Sequence, residues 1–308
     1  MRKIFYGVEI VLLTSLTSHS QESVQYLGNP FGNFSVGARN ISLANANIAE
    51  AYDISSMYEN PATIAFIENS SVFLNHSQGP QTDGMEENLA VPVMLASSIV
   101  LGFGANVYNL GYLTKPATTN DKIFEYGYDL AFAGAVTPTL SIGGAASIHH
   151  GATASNSQAW GAFYSFGLDY VPSGDVSYSI VYDGLGTDLL YSTTPYSSSL
   201  VAASSQMTRS LEVGATMRYP SSESLRSTIF ILSFANEKIF GTTGLYYKGG
   251  IEIRPLDFLQ MRFGYVLGPG VAGARYGFGV QEYFLSVEYA VYPQSSVVFQ
   301  QISFSVKI

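Results

Sequence analysis

The chain has 308 residues, 47% of them hydrophobic and 14% aromatic, and only 12% charged, about half the charge of an ordinary soluble domain. That composition excludes a disordered chain and a coiled coil, and 14 basic against 23 acidic residues, a net charge of −9, excludes a phosphate-binding surface for nucleic acid. No cysteine means no disulfide framework and no thiolate metal site, while a mean hydropathy of +0.17 says that something other than water solvates part of the chain.

Arg2 and Lys3, the apolar run from Ile4 to Leu16 and the small residues Ser18 and Ser20 read as a secretory signal over 1–20, interrupted by Glu9. Beyond it no stretch of 18 or more apolar residues occurs, which excludes membrane-spanning helices. Residues 21–67 form a separate N-terminal segment. Within it Asp53 is the expected N-cap of a short helix that carries Ser55 and Ser56 and is closed by Pro61. Ala44, Ala46, Ala49, Ala51 and Ala62 suit close packing in a confined space.

From 68 to 308 the sequence alternates. Leu259, Met261, Phe263 and Tyr265 oppose Gln260, Arg262 and Gly264; Leu285, Val287, Tyr289 and Val291 oppose Ser286, Glu288 and Ala290; Ile302, Phe304, Val306 and Ile308 oppose Gln301, Ser303, Ser305 and Lys307. Period-two alternation marks strands with two different surroundings. A soluble β-sandwich alternates too. Here, though, the polar faces are rich in Gly and Ser and the apolar faces carry aromatic rings near strand ends, the pattern of a membrane barrel with a polar interior and aromatic girdles.

Fourteen strands are predicted, beginning near Ser71, Asn88, Ile99, Glu125, Leu140, Gln158, Asp175, Gln206, Leu225, Thr242, Asp257, Val271, Phe284 and Val297. Connections after even-numbered strands are tight (Thr137-Pro138, Pro172-Ser173-Gly174, Pro220-Ser221-Ser222, Pro255-Leu256). Those after odd-numbered strands include the long ones, Ser77 to Glu87, Leu110 to Phe124 and Gly184 to Ser205. Short turns at one end and long loops at the other are the mark of an outer-membrane barrel. The expected architecture is therefore all-β, a transmembrane antiparallel barrel of about 14 strands over 68–308.

The stretch from Gly37 to Ala65 is the most specific. Gly37, Ala38 and Arg39 lead through an Ala-rich segment and Asp53 to Asn60, Pro61 and Ala62. It resembles the N-terminal hatch of the FadL superfamily of outer-membrane channels, and more closely that of the PorV/PorQ branch found with type IX secretion. Glu252 followed by Met261-Arg262-Phe263-Gly264-Tyr265, then Gly277-Phe278-Gly279 and Val287-Glu288-Tyr289-Ala290, is similar to the last strands of the same family. Thr63-Ile64 replaces the family's usual Gly-Leu, and the chain ends in Ile308 where barrels commonly end in an aromatic residue. The resemblance implies a small hatch, residues 21–67, inside the lumen.

Lys248, Glu252, Arg254, Arg262, Arg275 and Glu288 fall mostly on the inward faces of neighbouring strands, as do Asp129, Asp169, Asp183 and Glu212 on others. Ionisable groups in a membrane span face a lumen and pair with one another. Glu252, Arg254, Arg262, Arg275 and Glu288 are the candidate lumen network, more a structural tie between hatch and wall than a selectivity filter, with Arg39 or Asp53 as its partner. Catalysis finds little support: His149 and His150 are adjacent in a strand and point to opposite faces, and His76 near Ser77 lacks a nucleophile elbow. No cofactor or metal is expected. Two functions remain: first, an accessory to protein secretion or surface assembly, implied by the PorV/PorQ resemblance and ranked ahead because the short Gly-Ala-Arg hatch and the 308-residue length fit that branch better, with secretion or cargo proteins as partners; as the alternative, a channel for hydrophobic small molecules, implied by the FadL resemblance. Tyr108, Tyr164, Tyr178 and Tyr182 are the aromatic residues that could line such a channel. Either sits in the lipid of the outer membrane of a Gram-negative-type bacterium.

Overall fold

The computed structural model describes residues 35–51, 53–67, 70–78, 85–112, 122–153, 158–187, 189–190, 204–205, 208–220, 228–294 and 297–308. The expected signal peptide, 1–20, and residues 21–34 of the N-terminal segment lie outside them. Fourteen strands close into one antiparallel barrel: β1 (Ser71–Gln78), β2 (Met85–Ala96), β3 (Ile99–Tyr112), β4 (Lys122–Thr137), β5 (Leu140–Thr153), β6 (Gln158–Ser173), β7 (Val176–Gly186), β10 (Ser210–Tyr219), β11 (Ile229–Ile239), β12 (Tyr246–Leu256), β13 (Leu259–Gly268), β14 (Val271–Glu282), β15 (Leu285–Gln294) and β16 (Val297–Lys307). Two short pieces, β8 (Leu189–Leu190) and β9 (Ser204–Ser205), pair with each other in the connection between β7 and β10. Closure is made by β1 against β16, from Ser71↔Lys307 to Gln78↔Gln300, so the wall has no free edge.

Most strands keep the predicted alternation. In β13, Met261, Phe263 and Tyr265 are exposed on the outer wall while Gln260 and Arg262 are buried inside. Leu130, Phe132, Ile142, Phe166, Ile180 and Phe234 repeat the pattern around the ring. An outer wall so continuously apolar is solvated by hydrocarbon rather than water, and most strands reach the 9–11 residues that a tilted span needs.

One end of the barrel is closed by tight turns at Ser97-Ser98, Pro138-Thr139, Gly174-Asp175, Asp257-Phe258 and Tyr283-Phe284; this is the turn end. The other, the loop end, carries the connections across 79–84, 113–121, 154–157 and 187–209. β10 stops at Tyr219, whose partner is Phe230, and the described part of β11 starts at Ile229; Ser221, Ser222 and the predicted start at Leu225 lie outside the described residues. The other predicted starts fall within four residues of the observed ones.

Residues 35–67 form three short helical pieces: an α-helix, Ala38–Ser42, and two 3₁₀ turns, Ile54–Tyr58 and Pro61–Phe66. The short helix expected between Asp53 and Pro61 is the 3₁₀ turn Ile54–Tyr58, and a second turn begins at Pro61. Asp53 caps the first, accepting from the Ser55 N–H, and Pro61 opens the second at its first position, where a missing N–H costs nothing. Asn60 caps that second turn through the Ala62 N–H. The apolar side chains of this segment are the core of the molecule. Ile54, Met57, Ile64, Ala65 and Ile67 pack on Phe73, Ala90, Val100, Ala131 and Ala133 of the wall.

Candidate functional site: the lumen and the segment inside it

The inner segment touches every one of the fourteen barrel strands. Going round the ring, Gly37 lies against Phe73 of β1, Tyr58 donates to the Leu89 carbonyl of β2, and Met57 lies at Gly102 of β3. Ile64 shares a cluster with Ala131 of β4, Ser141 of β5 donates to the Ala62 carbonyl at 2.8 Å, and Asn60 meets Gly167 of β6. Asn60 Nδ2 reaches Ser179 of β7 at 2.9 Å, and Ile48 packs on Gly214 of β10 and Ala235 of β11. Leu43 meets Gly250 of β12, Ala44 meets Gly264 of β13, Ser42 meets Gly277 of β14, and Ile41 packs on Ala290 of β15. Finally the Ala38 N–H donates to Ser303 of β16 at 2.7 Å.

Inward glycines make this fit possible. A Cβ at Gly143 would stand 2.5 Å from Ala62 N and Pro61 C; one at Gly264 would stand 2.5 Å from Ala44 N and 2.6 Å from Leu43 C. These neighbours are backbone atoms that cannot rotate away. These inward mid-strand glycines are the mould of the inner segment.

Residues of the Gly37-to-Ala62 motif make several of these contacts. Gly37 takes φ 103°, which only glycine adopts without strain, and turns the chain into the α-helix. Ala38 is completely buried where its N–H meets Ser303. Asp53 accepts from Ser305 of β16 at 2.5 Å besides capping its own turn. Asn60 holds three partners at once, the Ala62 N–H, the Ile48 carbonyl and Ser179.

The charge network centres on Glu252, which is fully buried. Its Oε2 accepts from Arg39 Nε at 3.0 Å and from Arg262 Nε at 2.6 Å; its Oε1 accepts from Arg254 at 2.6 Å. Arg39 also pairs with Glu50 at 2.7 Å, and Arg262 with Glu288 at 3.0 Å. Three guanidiniums and three carboxylates therefore balance, and Arg39 ties segment to wall. Arg275 is a correction: among the described residues it does not join. Register pairs Arg262 with Gly277 and Arg275 with Gly264, one inward row nearer the loop end, and its guanidinium lies over Tyr292 at 5.7 Å. Lys248 likewise belongs to another group, with Glu212 at 2.9 Å and Glu237 at 3.0 Å.

A second network was not visible in the sequence. Ser303 Oγ donates to Asn75, Asn75 Nδ2 to Asn88, and Asn88 Nδ2 to Asn106, each at 2.8 Å, and Asn106 Nδ2 donates to Asp129 at 2.5 Å. With the Ala38 N–H at its head, this chain of donors all points one way, from the inner helix to Asp129. Such aligned chains polarise one another. The only sequence signal was an Asn at the inward parity of three successive strands.

Between the inner segment and the loop end lies a cavity of about 90 Å³. Val36, Met57, Tyr58 and Glu59 form its floor; Tyr108, Asp129, His149, Phe163 and Asp183 are among its walls. Burial pushes the Glu59 carboxyl above its ordinary value, partly offset by the Ser35 hydroxyl that donates to it at 2.7 Å. Of the four tyrosines that could line a channel, Tyr108 is inside; Tyr164 and Tyr178 are exposed on the outer wall, and Tyr182, on the same face of β7 as Tyr178, lies tilted against Phe240 at 6.1 Å. His149 faces inward against Phe163 and His150 faces outward against Trp160, so the two do share no face. Among the described residues no three His, Cys, Asp or Glu side chains are grouped to hold a metal ion.

No family model and no curated protein sequence matches the chain. Solved structures do. The toluene transporter TbuX of Ralstonia pickettii superposes with a TM-score of 0.61 at 12% identity, covering 91% of this chain and 99% of that one. The toluene transporter TodX of Pseudomonas putida gives 0.56 at 10% identity over 84% and 95%, and a FadL homologue of Pseudomonas aeruginosa gives 0.53 at 13% identity over 88% and 97%. At these identities the likeness is one of fold.

Proposed function

We propose that the chain is an outer-membrane channel for small hydrophobic molecules, stoppered by its own residues 35–67. The observation that carries this reading is the contact of one inner segment with all fourteen strands of a barrel whose architecture is shared with two toluene transporters. The apolar outer wall fits lipid, and the short turns face the periplasm, as in bacterial barrels generally. The loop-side cavity is smaller than the roughly 150 Å³ that houses one benzene ring. Passage of an aromatic solute therefore requires the inner segment to shift, as channel gating generally requires a second arrangement of a packed element. Uptake of radiolabelled toluene by cells that lack other hydrocarbon channels tests the reading: expression of the chain should accelerate uptake, and rates equal to empty-vector cells would overturn it.

A second reading, the secretion accessory of PorV/PorQ type, rests on the Gly37-Ala38-Arg39 to Asn60-Pro61-Ala62 motif. In this chain those residues seat the segment against the wall, a task that both functions need. Affinity purification from outer membranes separates them: co-purifying secretion components favour the second reading, and a barrel free of protein partners favours the channel.

A further inference from the structure

The hairpin tips of the turn end are of two kinds. On the β2 to β7 side they are small and polar: Ser97-Ser98, Pro138-Thr139 and Gly174-Asp175. On the β12 to β16 side they are large and apolar. Phe258 stands at the tip between β12 and β13, Tyr283 and Phe284 make the whole tip between β14 and β15, and Ile308 follows the last residue of β16. Tyr283 is 87% exposed, Ile308 75%, Phe284 62% and Phe258 46%. Main-chain contacts make the tips neighbours: the Gln281 N–H donates to the Phe258 carbonyl at 2.9 Å and the Lys307 N–H to the Phe284 carbonyl at 2.8 Å. The aromatic girdles of membrane barrels stand on the outward faces of strands. These side chains stand beyond the strand ends.

Tyr283 adds an independent sign. Glu282 pairs with Leu285, so the tip has two residues, and the first of them takes φ 41°. Glycine fills such a position without strain, and a bulky ring there is an outlier. A ring so exposed gains nothing from the fold in return. Whatever offsets the strain lies outside the chain.

The occupant follows from continuity. Phe278 and Val280 lead up the outer wall from the Tyr283 tip, and Met261 and Phe263 from the Phe258 tip, all of them exposed. The patch therefore runs on from the surface that hydrocarbon covers. Asp257 and Glu282, exposed within the same tips, belong at headgroup level rather than in the acyl layer, as does the Tyr283 hydroxyl.

We propose that this edge of the turn end is a foot seated in phospholipid. Phe258, Tyr283, Phe284 and Ile308 lie among the headgroups and upper acyl chains of the adjoining leaflet, while the tips at Ser97, Thr139 and Gly174 stay in water. The barrel therefore stands tilted, with its β12 to β16 edge drawn further into the leaflet. The inference rests on the wall spanning lipid and not on what the lumen passes, so toluene uptake and seating of the foot succeed or fail separately.

The chain has no cysteine, so single introduced thiols report the depth of each tip. The full chain carrying Phe258→Cys, Tyr283→Cys or Phe284→Cys is compared with Ser97→Cys and Ser173→Cys in phosphatidylcholine vesicles, with a membrane-impermeant maleimide on both sides. Only folded barrels are scored, by heat-dependent gel mobility, and each rate is divided by that of the same variant after heating in dodecyl sulfate. A thiol held in an apolar layer stays protonated and unreactive, so the three foot positions should react about tenfold or more slowly than the two serine positions. Because the vesicles hold no other protein, that protection can come only from lipid. Foot thiols that react as fast as those at Ser97 and Ser173 overturn the proposal and leave the patch to a protein partner. Equally slow reaction at all five positions overturns it too, since the turn end would then be immersed evenly and the barrel upright.

Discussion

Adjacent glycines offer a within-strand test of how the inner segment is held. In β5 a Cβ added at Gly143 would lie 2.5 Å from the backbone of Pro61 and Ala62, whereas one at Gly144, on the outer face, would rest 3.5 Å from Phe166. In β12 the same contrast separates Gly250, 2.8 Å from the Leu43 carbonyl, from Gly249, 3.9 Å from Phe234. The Gly143 contact is about an ångström short of ordinary packing and its neighbours are main chain, so relief must come from moving the segment; overpacking of this kind costs about 1–3 kcal/mol. At about 2 kcal/mol the unseated population rises about thirtyfold. Limited proteolysis within residues 35–67, scored beside the heat-dependent gel mobility that reports a folded barrel, reads this directly. Gly143→Ala and Gly250→Ala should accelerate cleavage with the barrel intact, while Gly144→Ala and Gly249→Ala should not. Equal protection in all four variants would refute the idea that missing side chains mould the seat.

Other consequences follow from the same contacts. Glu252→Gln leaves Arg39, Arg254 and Arg262 converging on a neutral amide, and removing one side of a buried ion network costs about 3–5 kcal/mol, so thermal unfolding should fall well below that of the unmodified chain. Asn88→Ala cuts the amide chain and strands the Asn75 donor, a loss of about 1–3 kcal/mol that should appear in the same melt. The raised Glu59 carboxyl makes the seating of the segment pH-dependent. Its folded value lies above the unfolded one, so its contribution is complete below about pH 4.5 and is lost as pH rises through the raised value. Protease protection of the segment should therefore decline from acid toward neutral pH, and Glu59→Gln should remove that part of the decline; an identical profile in the variant would contradict it.

Alternation made the barrel legible, because a wall between hydrocarbon and a polar lumen imposes period two on each strand, as Met261, Phe263 and Tyr265 against Gln260 and Arg262 show. Turn residues located most hairpins, as at Pro138 and Gly174. The segment's caps were readable too, because Asp53 and Asn60 act on neighbours two residues away. What depended on register was not. Whether Arg275 reaches Glu252, whether Asn75, Asn88 and Asn106 stand side by side, and which glycines meet the inner segment are all fixed by how strands slide past one another during closure. A one-residue difference in that stagger would turn every one of these side chains to the other face.

Ion conductance across a planar bilayer tests the central claim, that residues 35–67 stopper the lumen. The unmodified chain should insert without steady conductance, and the double variant Gly143→Ala/Gly264→Ala should show frequent openings, because both substitutions collide with the segment's backbone. Steady open conductance from the unmodified chain, unchanged by the two alanines, would contradict the account.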